Sequence, residues 1–327
     1  MRRPFPCVSV LVCLLSWPAA AGAQAIETVG ERAMGMGGAF VAVADDSSAT
    51  WWNPAALAAG PFLDAAAGWS RTDFRRDGEP TGRVEPVAVS LSVPPLGVSY
   101  YRFRITNIQP AGPTVTPAGG REDGRVGVVQ SLRLHDLGVT LLKTVFSGVH
   151  VGTTLKFLRG DVEHTSSDVG LTPEGEFDVD LGALAVVGPW RVGGVVKNLF
   201  EAAEFGEVAG LDGVTLSRQA RVGVAFDGGA RRGSNAAWTV SADVDVASYA
   251  TNTGDRRVIA AGAERWLVGK RIGVRGGARF NQVGQKERSA TGGVSAAIRP
   301  GLFVEAHGVA GGSDDERGWG VGGRVTF

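Results

Sequence analysis

Past Cys13 the chain has no cysteine, so disulfides and thiolate-held metals are excluded from nearly its whole length. No run of 18 apolar residues occurs after the first two dozen residues, which excludes a spanning helix. Helix-forming Leu, Lys and Glu are sparse beside 49 glycines, and no amphipathic helix is legible after residue 60. The composition therefore reads as all-β. An excess of one charge is missing too: 33 basic residues face 33 acidic ones, a balance that argues against nucleic acid as a partner.

Signs of catalysis are equally thin. There is no Gly-x-Ser-x-Gly elbow, and His135, His150, His164 and His307 lie far apart without metal-ligand spacing. "GMGGAF" has no third glycine and no preceding strand, so it is not a dinucleotide loop. "RGD" at Arg159–Asp161 is a three-letter match of the kind that chance supplies. The expectation is no enzyme, no metal and no cofactor.

The start is informative. "MRRPFPCVSVLVCLLSWPAAAGAQ" joins two arginines, an apolar run from Val8 to Trp17 and a small-x-small ending. Residues 1–23 read as a secretory signal peptide cut after Ala23. Cys7 and Cys13 leave with it, and Leu11 and Val12 before Cys13 do not form a lipoprotein box.

From Phe62 onward, segments of about ten residues alternate apolar with small or polar. In "WTVSADVDV" (238–246), Trp238, Val240, Ala242, Val244 and Val246 share one face, and Asp243 and Asp245 lie on the other. In "RIGVRGGARF", Arg271, Arg275 and Arg279 oppose Ile272, Val274, Ala278 and Phe280. Successive carboxylates on one face need water or partners, so that face is no dry core. A soluble sheet with one wet face and a membrane barrel with a polar lumen both produce this alternation.

Link lengths choose between them. Fourteen segments, from 62–74 to 317–327, are joined by links that are mostly short after even-numbered segments and longer after odd-numbered ones. This is the pattern of outer-membrane barrels with short periplasmic turns and longer external loops. "GRVGVVQSL" (124–132) fits an extended external loop or a strand extension, because a fifteenth strand would break the even count. Aromatics sort by end: Phe146, Trp190, Phe226, Trp238, Trp266 and Phe327 at the periplasmic end, and Phe74, Phe157, Phe177, Phe280 and Trp319 at the external one. Trp266 is ambiguous, since it shares the parity of Glu264. Two such belts suit lipid interfaces. Arg271, Arg275 and Arg279 are expected to pair across the lumen with Asp178, Asp180, Asp243 or Asp245. The alternative reading is that they attract a carboxylate-bearing solute. His150, Lys156, Arg221, Glu305 and His307 are expected in the same structural role as the arginines.

One stretch fits no strand: "RAMGMGGAFVAVADDSSATWWNPAAL" (32–57). It resembles the N-terminal signature of the FadL/TodX superfamily of outer-membrane proteins, whose branches include fatty-acid and hydrocarbon channels and PorV/PorQ proteins. The resemblance implies a fourteen-stranded transmembrane β-barrel over 61–327 with residues 24–60 as a plug, or hatch, in its lumen. Gly35, Gly37, Gly38, Phe40, Asp45, Asp46, Asn53 and Pro54 are then the hatch and gating residues. It implies passive transport of small hydrophobic molecules across the outer membrane, or, in the PorV/PorQ branch, holding of secreted protein cargo. Outer-membrane lipid and a small hydrophobic solute are the implied partners. The closing "GWGVGGRVTF" resembles a β-signal that the barrel assembly machinery would read through Phe327.

Overall fold

A computed structural model describes residues 29–76, 79–109, 128–164, 174–200, 216–228, 237–251, 254–312 and 316–327. The expected signal peptide, residues 124–127 and the side chains of Asp161 and His164 lie outside the described residues.

Alternation of side chains gives long strands: β1 (Asp64–Arg76), β2 (Glu79–Val93), β3 (Leu96–Gln109), β4 (Val128–Phe146), β5 (Val149–His164), β6 (Glu174–Val187), β7 (Trp190–Lys197), β8 (Gln219–Gly228) and β9 (Trp238–Asp245). A small ribbon follows, β10 (Tyr249–Thr251) and β11 (Gly254–Arg256), and then β12 (Val258–Leu267), β13 (Ile272–Asn281), β14 (Arg288–Arg299), β15 (Leu302–Gly311) and β16 (Arg317–Thr326). All but the ribbon form one closed ring of fourteen antiparallel strands. β1 closes on β16, with Asp64 opposite Thr326 and Asp73 opposite Arg317. The ring itself has no open edge, which is how β structure spans a membrane with every backbone group paired.

Five of the even-numbered links are tight: Pro94–Pro95, Ser147–Gly148, Gly188–Pro189, Val268–Arg271 and Pro300–Gly301. Glycine is required at Gly148 and Gly301, where φ is 74° and 79°, a region that L side chains avoid. Residues 128–132 extend β4, so the segment that strained the strand count adds length and not a fifteenth strand.

Outward positions are apolar. Leu96, Val98, Val139, Leu141, Val151, Leu155, Val222, Val224, Val294 and Val321 are all exposed. On β5 this band runs from Val149 to Phe157, a height of roughly 20–25 Å for a tilted strand, the thickness of an outer-membrane apolar belt. Phe146 (70% exposed) and Phe327 (75%) mark the turn end, as do Trp190 and Trp238, and Phe177 (75%), Phe157 and Trp319 mark the other. Two aromatics depart from the expected belts. Phe74 turns into the lumen and is buried, because its parity on β1 is that of Ser70 and Thr72, both also buried. Trp266 shares the inward parity of Glu264 and stacks edge-on against Phe303, 5.6 Å away.

Candidate functional site

Residues 30–59 lie inside the lumen and contain one helical turn at Glu31–Gly35, another at Ala49–Trp52 and a 3-10 turn at Pro54–Ala59. Its side chains from Ala33 to Ala44 are buried, and its contacts reach opposite walls of the ring.

Two features of the wall seat this backbone. The first is missing volume. A Cβ on Gly152 or Gly182 would strike Pro54, one on Gly193 would lie 2.6 Å from the Val41 carbonyl oxygen, and one on Gly262 or Gly277 would strike Met36. Gly37 answers from the segment's side, with φ of 71° and its own missing Cβ 2.9 Å from the Ala278 amide. The second is hydrogen bonding. The Asp243 carboxylate accepts the backbone N–H groups of Phe40 (2.7 Å) and Val41 (2.8 Å). Ser241 donates to the Ala39 carbonyl at 2.6 Å, and Thr291 donates to that of Gly35 at 3.0 Å. Asn53 donates from its amide to Val41 (2.9 Å) and to Ala183 of β6 (3.0 Å), while its oxygen accepts from Ala55. Irregular backbone at membrane depth persists only with such partners.

Charges cluster around Arg32. Its guanidinium is held by both Glu264 oxygens (2.8 and 2.6 Å), by Asp46 at 3.2 Å and by Asp45. Glu264 also meets Arg275 at 3.1 Å, and Asp45 meets Arg191 at 3.4 Å. Burial alone would push the Asp45 carboxyl up; Arg32 and then Arg191 outweigh it and hold it below the usual carboxylate range. At Glu31 the opposing cation, Arg275, is the weakest of the influences. Burial pushes it up to about 7, with Glu305 and Asp46 adding to the effect.

The predicted site residues fall as follows. Gly35, Gly37, Gly38, Phe40, Asp45, Asp46, Asn53 and Pro54 all lie in the enclosed segment. Phe40 packs edge-on to Trp52 at 5.9 Å, beneath the Arg32 guanidinium. Asp243, Asp245, Arg275 and Arg279 face the lumen and are buried. Arg271 does not: β13 begins at Ile272, and Arg271 sits exposed in the preceding turn, whose left-handed residues Val268, Gly269 and Lys270 carry it out of the wall. The expected partners also change. Arg275 pairs with Glu264, Arg279 with Glu316, Asp245 with Arg221, and Asp180 with Lys156 (2.7 Å) and Lys197 (3.0 Å). His150 lies at the turn end of β5 against Thr144, with the inward parity of Gly152. Sequence reasoning passed over Arg32, Glu264 and the wall glycines, although the inward parity of Gly152, Gly182, Gly262 and Gly277 was readable from the alternation.

The rest of the lumen is two-sided. Along the halves of β1 to β5 distant from the tight turns, Phe74, Val84, Phe103, Ile105, Leu132, Leu134 and Leu158 point inward in one buried cluster with Trp51. Trp51 lies 5.1 Å from Tyr101 and 5.2 Å from Phe103. On the turn side of the segment, a cavity of about 600 Å³ is lined by Arg32, Asp45, Arg191, Glu264, Trp266 and Phe303.

A family model described as "F plasmid transfer operon, TraF, protein" matches residues 127–245, fewer than half of the chain. No curated protein matches. Solved structures match almost end to end. The toluene transporter TbuX of Ralstonia pickettii is 14% identical with a TM-score of 0.62, over 92% of this chain and 99% of that one. The CymD monoaromatic hydrocarbon channel is 13% identical with a TM-score of 0.65, over 92% and 98%. A Pseudomonas aeruginosa FadL homologue is 11% identical with a TM-score of 0.56, over 95% and 99%. The chain has the FadL/TodX-type barrel fold. In this FadL/TodX-type barrel the closed fourteen-stranded ring and its exposed apolar band fit the bacterial outer membrane.

Proposed function

We propose that the protein passes small hydrophobic molecules, hydrocarbons or fatty acids, across the outer membrane without energy input. Residues 24–60, of which 30–59 lie in the lumen, act as the hatch whose displacement opens the path. The apolar wall of β1 to β5 carries this reading. A pore for ions or sugars gains nothing from inward Phe103, Ile105, Leu132, Leu134 and Leu158, whereas an apolar solute descending the lumen is desolvated against them and delivered to Trp51. The fold supports the reading because proteins described as a toluene transporter and a monoaromatic hydrocarbon channel share it. Gly35, Gly37, Gly38, Phe40, Asp45, Asp46, Asn53 and Pro54 are the gating set, with Asp243 and Glu264 as its anchors on the wall.

The test is calorimetric binding and vesicle uptake with toluene and laurate as probes. Phe103→Ala should weaken binding of the better probe by about tenfold through lost apolar contact. Absence of binding to either probe, together with a stoichiometric secreted protein co-purifying from native membranes, overturns the transport reading in favour of cargo holding.

A further inference from the structure

The outer wall carries a feature that solute transport does not use. On β3, β4 and β5, Arg102 stands directly opposite His135, and His135 directly opposite Arg159. All three have outward parity, and Arg102 and Arg159 are exposed. Neighbouring strands lie about 4.8 Å apart, so the two guanidinium-bearing positions are roughly 10 Å from each other. Basic groups facing one another across strands repel.

The next row away from the turns is built differently. Glu85 faces Arg104, Arg104 faces Arg133, and Arg133 faces Asp161. Two acids flank two arginines there. The Arg102–His135–Arg159 row sets three basic positions side by side between Val87 and Gly175, with Glu85 one row away.

Its height is equally specific. One outward position nearer the turns stand Tyr100, Leu137, Phe157 and Phe177, the aromatic edge of the apolar band, all exposed. Below them run Val98, Val139 and Leu155. The Tyr100 hydroxyl meets His135 Nδ1 at 2.8 Å and fixes the ring at the boundary. The row therefore sits at headgroup level, over a wall suited to acyl chains.

We propose that this row binds the phosphate of an anionic lipid in the leaflet away from the tight turns, with Arg102 and Arg159 as a two-armed clamp. Arginine is suited to this, since its planar fork donates charge-assisted hydrogen bonds to phosphate oxygens. A lipid is favoured over free phosphate because the aromatic and aliphatic wall directly beneath the row has no use for a soluble ion. The inference rests on membrane placement of the barrel and is independent of the solute carried.

The test uses full-length protein in mild detergent, native mass spectrometry, and a bis-phosphorylated acylated glucosamine disaccharide as the probe. Its dephosphorylated counterpart and inorganic phosphate are run alongside. Wild type should retain the phosphorylated lipid, and Arg102→Gln and Arg159→Gln should each weaken binding roughly tenfold. Lys143→Gln with Arg299→Gln, basic residues exposed toward the turn end, should leave it unchanged. Heat-modifiable migration of every variant verifies an intact barrel, and unaltered toluene and laurate binding separates this result from the transport reading. Equal binding of the dephosphorylated lipid, full competition by inorganic phosphate at equal concentration, or retention of the lipid by the double arginine variant overturns the proposal.

Discussion

Two buried acids at the lumen do different work because their partners differ. Asp243 receives the amides of Phe40 and Val41, so Asp243→Ala strands two buried donors at a cost of about 2–4 kcal/mol. Hydrogen exchange should report that directly: the Phe40 and Val41 amides should exchange at least about 30-fold faster, with β9 ladder amides unchanged. Unaltered exchange at Phe40 would show that Asp243 does not anchor the segment. Glu31, in the enclosed segment itself, carries a pKa raised to about 7 by burial, then by Glu305 and Asp46. When the segment leaves the lumen, this carboxyl returns to its ordinary value near 4.5. The seated state thus binds the proton more tightly, and its stabilisation is full below pH 4.5 and lost as pH rises through 7. In planar bilayers, segment-linked openings should become up to about 70-fold more frequent between pH 5 and pH 8. Glu31→Gln should abolish that dependence. A pH response that survives the substitution assigns it to another group.

At the scale of the strand, the two faces of β13 make opposite demands on neighbouring glycines. A Cβ at Gly277 would strike the Met36 carbonyl carbon and sit 2.5 Å from the Gly37 nitrogen, while one at Gly276 meets nothing nearer than the Thr291 carbonyl oxygen at 3.8 Å. Gly277→Ala should unseat the segment and raise leak conductance severalfold; Gly276→Ala, with the same change in strand propensity, should leave it unaltered. Equal conductance in both variants would mean that the segment yields without displacement. This contrast also shows what the sequence makes legible. Period-two alternation located all fourteen barrel strands, because lipid outside and polar lumen inside impose opposite chemistry on successive residues. Parity fails where a strand ends: Arg271 has the spacing of a lumen arginine but lies in a turn that rotates it out. Parity also cannot separate an inward glycine that seats a chain from one that merely interrupts a strand. Ion-pair partners such as Glu264 with Arg32 join positions 232 residues apart, and only the closed ring brings them together. The irregular segment was legible through its resemblance to a family signature, since its fold is dictated by a container that lies elsewhere in the chain.

For the whole molecule, the barrel and its filling are separable by construction. Closure depends on the β1–β16 ladder, from Asp64 opposite Thr326 to Asp73 opposite Arg317, extended by Leu63 against Phe327, and residues 29–62 take no part in it. Removing residues 24–45 deletes Arg32, Phe40, Val41 and Asp45, and with them the contacts to Glu264, Asp243 and Arg191. The wall charges released in this way do not remain buried, because water enters as the segment leaves, so the penalty for unpaired ions is largely avoided. The truncated chain, placed behind an intact leader, should therefore still fold to a heat-modifiable barrel and insert in bilayers, with a steady conductance at least severalfold above that of the full chain. On the proposed reading, toluene or laurate should no longer change that conductance, since the segment assigned to respond to solute has been removed. A truncated barrel as closed as the full one would place the barrier in the residues that remain, among the apolar cluster of Phe103, Leu134 and Leu158, and would remove residues 24–45 from any account of gating.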